Sequence, residues 1–129
     1  MRKVLVAALI ASIGLLISVP LAAHHGGASI LSGKQVTYKA TVKEWQWTNP
    51  HCLLTFDVKA EDGKVVQWVA ETPAPNTIYP FGYRKSSFKP GDQITITLNP
   101  VKSGVPAGSI VRIVLADGTV LERVQERTQ

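Results

Sequence analysis

Three histidines are the residues in this sequence whose type and spacing could bind a metal ion. His24 and His25 are adjacent and follow a hydrophobic N-terminal segment, whereas His51 follows an Asn-Pro pair. If proteolysis makes His24 the first residue, its α-amine and its ring nitrogen can chelate one metal ion, and His51 can supply a third nitrogen. A planar set of nitrogen ligands favours Cu(II) or Ni(II). The sequence therefore predicts a copper site formed by His24, His25 and His51.

The segment before these histidines has the pattern of a secretory signal peptide. Arg2 and Lys3 are followed by an uncharged apolar run from Val4 to Val19 and then by small residues. This pattern predicts a leader, residues 1–23, that is cleaved after export, and hence a periplasmic or secreted protein.

The cleavage position decides which nitrogens are present. A cut one residue earlier would leave Ala23-His24-His25 as the N-terminus, with an amine, two backbone amides and the His25 imidazole. That set also favours copper or nickel. A metal-free alternative stays open, since Gly26 and Gly27 make this segment resemble a polar leader, and His51 could serve only as a hydrogen-bonding turn residue.

A second group of residues could form a binding surface without metal. Trp45, Trp47, Asn49 and Tyr83 are predicted to lie near His51 and to bind a partner protein or a small organic ligand. The alternative is that the tryptophans belong to the core, because large aromatic side chains dominate the packing of small domains.

The sequence gives little support for catalysis or for cysteine chemistry. Arg84 and Lys85 are interpreted as surface charge, and the acidic residues fall mostly in turns or at outward strand positions, so no catalytic constellation is predicted. Cys52 alternates with His51 along a strand and is predicted to be a buried, inert thiol. With one cysteine, the chain cannot form an internal disulfide.

The composition narrows the possible partners. Loss of Arg2 and Lys3 with the leader lowers the formal net charge from +5 to +3, which is too mild to indicate nucleic-acid binding. We expect a monomer that is not attached to a membrane after cleavage and that binds a metal ion, a small ligand or a periplasmic partner protein.

Period-two patterns predict the elements that position these residues. Residues 24–33 are predicted to form a flexible arm, residues 34–125 a single β domain, and residues 126–129 a frayed tail. The alternation slips near Lys43 and Glu44, which predicts a β-bulge in a long first strand. The residues predicted to face inward are Cys52, Leu54, Phe56 and Val58 on the second strand, Val66, Trp68 and Ala70 on the third, and Ile94, Ile96 and Leu98 on a later one.

Turns and a proline-rich segment complete the pattern. Asp62-Gly63 and Asp117-Gly118 predict hairpin turns. Between them, residues 72–92 are too rich in proline for a long helix, so one short helical turn is predicted, capped by Asn76 and limited by Pro80. The expected fold is all-β, a five- to six-stranded barrel of the oligonucleotide/oligosaccharide-binding (OB) type with one short helical connection.

Three motifs resemble an uncharacterised family of exported bacterial proteins known as a domain of unknown function. They are Ala23-His24-His25, the Trp-x-Asn-Pro-His segment from Trp47 to His51, and the stretch from Gly82-Tyr83 to Lys89-Pro90-Gly91-Asp92. The resemblance covers nearly the whole exported domain and implies export and a small β fold. It implies no activity.

Overall fold

A computed structural model of the protein describes residues 31–122. Six strands and one short helical connection follow one another along this part of the chain. The elements are β1 (Val36–Gln46), β2 (Cys52–Lys59), β3 (Val65–Thr72), α1 (Pro75–Ile78), a 3₁₀ turn (Tyr79–Phe81), β4 (Gln93–Pro100), β5 (Ala107–Leu115) and β6 (Val120–Glu122).

Five of the strands close into a barrel. β1 pairs antiparallel with both β2 and β4, and β5 pairs antiparallel with β4. A short parallel pairing of Val69–Glu71 with Ala107–Ser109 joins β3 to β5 and closes the ring. β6 adds an extra strand outside the ring, on β5. The predicted all-β barrel of five to six strands with one short helical connection is confirmed.

A bulge in β1 bends this strand, which pairs with β2 on one side and with β4 on the other. The pairing with β2 shifts register between Val42 and Glu44, as the slipped alternation predicts. The turn before β4 holds this bend, because the Gly91 N–H donates to the Val42 carbonyl and the Val42 N–H donates to the Asp92 carbonyl, each over 2.8 Å. Gly91 has a φ of 92°, which favours glycine at this position.

The barrel interior is filled by alternate residues of the strands. The predicted inward residues of β2 and β4 are all buried. Tyr83 and Phe88, from the segment between the 3₁₀ turn and β4, also lie in this core. The buried set is Ala40, Val42, Cys52, Leu54, Phe56, Val58, Ala70, Ile78, Tyr83, Phe88, Ile94, Ile96, Leu98, Ile113 and Leu121.

Two local predictions are corrected by the structure. Val66 is 38% exposed rather than inward-facing. β3 meets β5 only from Val69 onward, so among the described residues the first half of β3, including Val66, has no strand paired along its outer edge. The N-cap of α1 is Ala74 instead of Asn76, which lies inside the helix after Pro75.

The barrel begins earlier than the sequence pattern predicts. Leu31 pairs with Val101, and the Ser32 N–H donates to the Pro100 carbonyl over 2.8 Å. Leu31 and Ser32, which the sequence pattern assigns to the arm, thus contact Pro100 and Val101 at the end of β4, and residues 24–30 of the predicted arm lie outside the described residues. Within residues 31–122, no helix has the length and apolar character needed to span a membrane.

Candidate functional site

The loop between β1 and β2 carries most of the predicted site residues. It runs from Trp47 to His51, and the Thr48 hydroxyl donates to the His51 carbonyl over 2.9 Å, which ties the two ends of the loop together. Asn49 is exposed and precedes Pro50 through a cis peptide bond. The loop therefore presents Asn49 and His51 to solvent at one rim of the barrel.

His51 is held in one orientation by the end of β3. Its Nδ1 lies 3.2 Å from the Thr72 carbonyl oxygen and 3.8 Å from a carboxylate oxygen of Glu71. A carbonyl oxygen can only accept, so this contact favours the tautomer in which Nδ1 carries the proton. Nε2 then keeps its lone pair on a side chain that is 52% exposed. This is the arrangement by which proteins orient histidines that bind metal through the other ring nitrogen.

The other two predicted metal ligands, His24 and His25, lie outside the described residues. Among residues 31–122, no three His, Cys, Asp or Glu side chains come close enough together to hold a metal ion. The described part of the chain therefore supplies one oriented imidazole.

Trp45 and Trp47 take different positions after the β1 bulge. Trp45 is half-buried, pairs with Leu54 of β2, and packs edge-on against Phe88 with ring centres 5.0 Å apart. Trp47, one residue past the end of β1, is also half-buried and lies 5.9 Å from the Trp45 ring. Trp45 thus anchors the loop to the core, and Trp47 lines the surface beside it.

The prediction that Tyr83 belongs to the binding surface is wrong. Its side chain is 2% exposed, and its hydroxyl donates to the Leu121 carbonyl over 3.3 Å. Burial, with a smaller contribution from the charge of Glu122, raises the pKa of Tyr83 well above its ordinary value. Gly82, with a φ of 91°, directs the chain so that this ring enters the core.

A surface cleft of about 490 Å³ lies beside Trp47. Trp47 forms one wall. Tyr79, the first residue of the 3₁₀ turn, and the three residues Arg84, Lys85 and Ser86 that follow this turn line the rest. The cleft thus combines aromatic surface with two basic side chains. Among the described residues, no carboxylate forms an ion pair with Arg84 or Lys85 within 4.0 Å.

The basic part of this cleft is not evident from the sequence. The pattern around Arg84 and Lys85 is typical of surface charge, and nothing in it singles out Tyr79. Their approach to Trp47 depends on a contact between residues far apart in the chain, the 3.0 Å hydrogen bond from the Trp45 indole to the Arg84 carbonyl. The one feature of the sequence that points to this cleft is the cluster of basic and aromatic residues between Tyr79 and Phe88.

Comparison with known proteins finds one family. A family model described as a family of unknown function, DUF6152, matches residues 13–110. The match agrees with the resemblance to a domain of unknown function that the three motifs indicate. No curated protein and no solved structure matches the chain.

Proposed function

The chain belongs to the family of unknown function DUF6152, and we propose that it is an exported binding protein that takes a small organic ligand in the cleft beside Trp47. The observation that carries this proposal is the cleft itself, where a half-buried indole, an exposed tyrosine ring and two basic side chains converge; neither basic side chain forms an ion pair within residues 31–122. The cleft is shallow and largely open to solvent, and its volume of about 490 Å³ is enough for a small molecule.

The barrel architecture supports the same location. The ring order β1-β2-β3-β5-β4, with a helical connection between β3 and β4, supports the OB type inferred from the sequence. Barrels of that type use the β1–β2 loop as part of their binding surface. Here that loop contains Trp47, Asn49 and His51.

A titration followed by NMR tests the proposal. The three indole N–H signals of the ¹⁵N-labelled protein report separately on Trp45, Trp47 and Trp68. We expect a panel of neutral and anionic one-ring fragments to include compounds that shift the Trp47 signal in a saturable way. The Trp68 signal serves as an internal control, because that ring packs against Tyr38 and Phe56.

A pair of variants gives the matched control. Trp47→Leu should abolish fragment binding, whereas Trp68→Leu should leave it unchanged in protein that is still folded. A panel in which no fragment moves the Trp47 signal would contradict the proposed function.

Copper binding is the second candidate function, and the orientation of His51 favours it. With Nδ1 held at the Thr72 carbonyl, Nε2 is left to bind metal. In this proposal the mature N-terminus adds the α-amine and the ring nitrogen of His24, or the Ala23-His24-His25 chelate if cleavage occurs one residue earlier. The role would be capture or transfer of Cu(II).

The chain length before Leu31 is compatible with such a site. Across the barrel wall, Glu71 pairs with Ser109 and Ser109 pairs with Asn99, which is close to the Leu31–Val101 bridge. With strands about 4.8 Å apart, the path from Glu71 to Leu31 is about 20 Å and the direct distance is shorter. His24 precedes Leu31 by seven residues, which span about 24 Å when extended.

The copper proposal is tested on protein expressed with its own leader. The mature N-terminus is sequenced, and Cu(II) is added while electron paramagnetic resonance spectra are recorded. We expect one equivalent of Cu(II) in a nitrogen-rich spectrum that changes in His51→Ala and not in Asn49→Ala, a control in the same loop. Copper binding that is identical in His51→Ala would exclude the three-histidine site.

A further inference from the structure

We infer that the cleft beside Trp47 recognises a carboxylate through Arg84, and that its ligand is a small aromatic acid. This inference rests on the proposed function, because it names the ligand class of the same cleft. It is independent of the copper proposal.

The backbone of Arg84 is fixed on both sides. Its N–H donates to the Ser87 hydroxyl oxygen over 2.7 Å, and its carbonyl accepts the hydrogen bond from the Trp45 indole over 3.0 Å. Although the side chain lies at the surface, its base is therefore attached to the core through Trp45. A charged group held in this way loses little conformational entropy when a ligand binds.

The guanidinium group is oriented by its own segment. Nη1 donates to the Tyr79 carbonyl over 2.8 Å and to the Tyr83 carbonyl over 2.7 Å, which uses both of its hydrogens. The Cζ atom lies 3.6 Å from the centre of the Tyr79 ring, in cation–π contact. The edge formed by Nε and Nη2 is left with donors in one plane, and this edge matches the two oxygens of a carboxylate.

The positive charge of the cleft has no carboxylate partner within 4.0 Å among residues 31–122. The ion pairs between lysine or arginine and a carboxylate in this region join Lys43 with Asp57, Lys64 with Asp62, and Arg112 with Glu122. Arg84 and Lys85 take part in none of them. An anionic ligand would therefore meet two cations that the described part of the protein does not neutralise.

The walls of the cleft favour an aromatic body on this acid. Trp47 and Tyr79 line it, and the Tyr79 side chain is exposed although it is large and apolar. Aromatic rings bind other planar rings by offset or edge-on packing; the Arg84 guanidinium covers one face of Tyr79, so Trp47 provides the main stacking surface and Tyr79 its edge or other face. A ring bearing one carboxylate can contact these walls while its oxygens reach the Nε–Nη2 edge of Arg84.

Benzoate and benzamide provide the test, because they have nearly the same shape and differ in charge. Both are titrated into the unaltered protein, following the Trp47 indole signal and the Arg84 Nε–H signal. We expect benzoate to shift both signals and to bind at least about tenfold more tightly than benzamide, since hydrogen bonds to charged groups are about twice as strong as neutral ones. We expect inorganic phosphate to compete weakly.

Two arginine variants locate the effect. Arg84→Lys keeps the charge but removes the planar pair of donors, and should lower benzoate affinity about tenfold. Arg112→Lys, at an arginine of β5 that pairs with Glu122, should leave benzoate binding unchanged. Thermal unfolding of each variant confirms that it is folded, and the benzoate–benzamide comparison needs no variant.

Three other results of these titrations would contradict part or all of the inference. Equal affinity for benzoate and benzamide would overturn the carboxylate assignment and leave the proposed small-molecule function standing. Phosphate binding as tightly as benzoate would overturn the aromatic part of the inference. If no compound moves the Trp47 signal, the proposed function fails together with this inference.

Discussion

The indole nitrogen of Trp45 donates a hydrogen bond to the backbone carbonyl of Arg84 over 3.0 Å. This single contact joins the end of β1 to the segment that carries the basic side of the cleft, across 39 residues of sequence. The half-buried Trp45 ring also packs against Phe88, which belongs to the core. The position of Arg84 is thereby coupled to the packing of the barrel.

Replacing Trp45 should therefore affect stability and the cleft together. Trp45→Phe removes the indole donor, and the Arg84 carbonyl keeps the hydrogen bond from the Ser87 N–H, so we expect the free energy of unfolding to fall by about 1 kcal/mol, the net contribution of one hydrogen bond. Urea denaturation measures the loss, and the amide signals of residues 84–87 should shift. Trp68→Phe is the control, and a shift of the same amide signals in that variant would contradict the coupling.

The strands and the bulge could be predicted because their signals are local. β2 and β4 alternate cleanly between apolar and polar residues, and each has one face in the core. The bulge was visible because the large apolar residues change phase between Val42 and Trp45. In these strands, alternate side chains are buried in the core, so the strand can be recognised from the alternation of apolar and polar residues along the sequence.

The corrected features depend on long-range contacts. Val66 stays exposed because β5 meets β3 only from Val69 onward. Tyr83 faces the core, where its ring lies near Trp45 and its hydroxyl donates to the Leu121 carbonyl. The basic side of the cleft depends on Trp45 reaching Arg84. Alternation within one segment contains no information on such pairings, so the sequence does not predict that Arg84 lies beside Trp47.

Stability should fall at alkaline pH because of Tyr83. Burial raises the pKa of this side chain, so the folded protein keeps the phenol proton after the unfolded chain has lost it near pH 10. The unfolded state is then favoured as pH rises above about 10, by up to about 1.4 kcal/mol per pH unit. Urea denaturation between pH 8 and 11 should show a steeper decline for the unaltered protein than for Tyr83→Phe. Tyr79→Phe, at an exposed ring, should retain the steep decline.

Gly108 should tolerate no side chain. A Cβ atom there would collide with the Asn99 carbonyl oxygen and lie 2.6 Å from a methyl carbon of Leu98, at the junction where β5 pairs with both β3 and β4. We expect Gly108→Ala to lower the free energy of unfolding by about 3 kcal/mol through overpacking. Gly63→Ala, where a Cβ would meet nothing but φ is 83°, should cost about 1 kcal/mol from backbone strain alone. Equal losses in a denaturation experiment would contradict this distinction.

Cys52 should react with thiol reagents only when the barrel opens. Its side chain is fully buried, and its sulfur faces the Thr48 carbonyl at 3.8 Å. Labelling by a water-soluble disulfide reagent should therefore be slow in buffer and fast in urea, following the unfolded fraction. Ser86→Cys, at an exposed position of the cleft, should react at once in buffer, and equally fast reaction of Cys52 would show that its burial is incomplete.

The parallel pairing that closes the barrel has a consequence for how the protein folds. β1, β2 and β3 pair with their neighbours in sequence and form hairpins. β3 also pairs with β5, whose first residue lies 35 positions after the end of β3, so this pairing can form only after the chain between them has folded back. Until then, the outer edge of β3 has unpaired N–H and C=O groups that can pair with another chain. Contacts between distant segments form slowly, so the interval before closure is when this protein is most prone to aggregate.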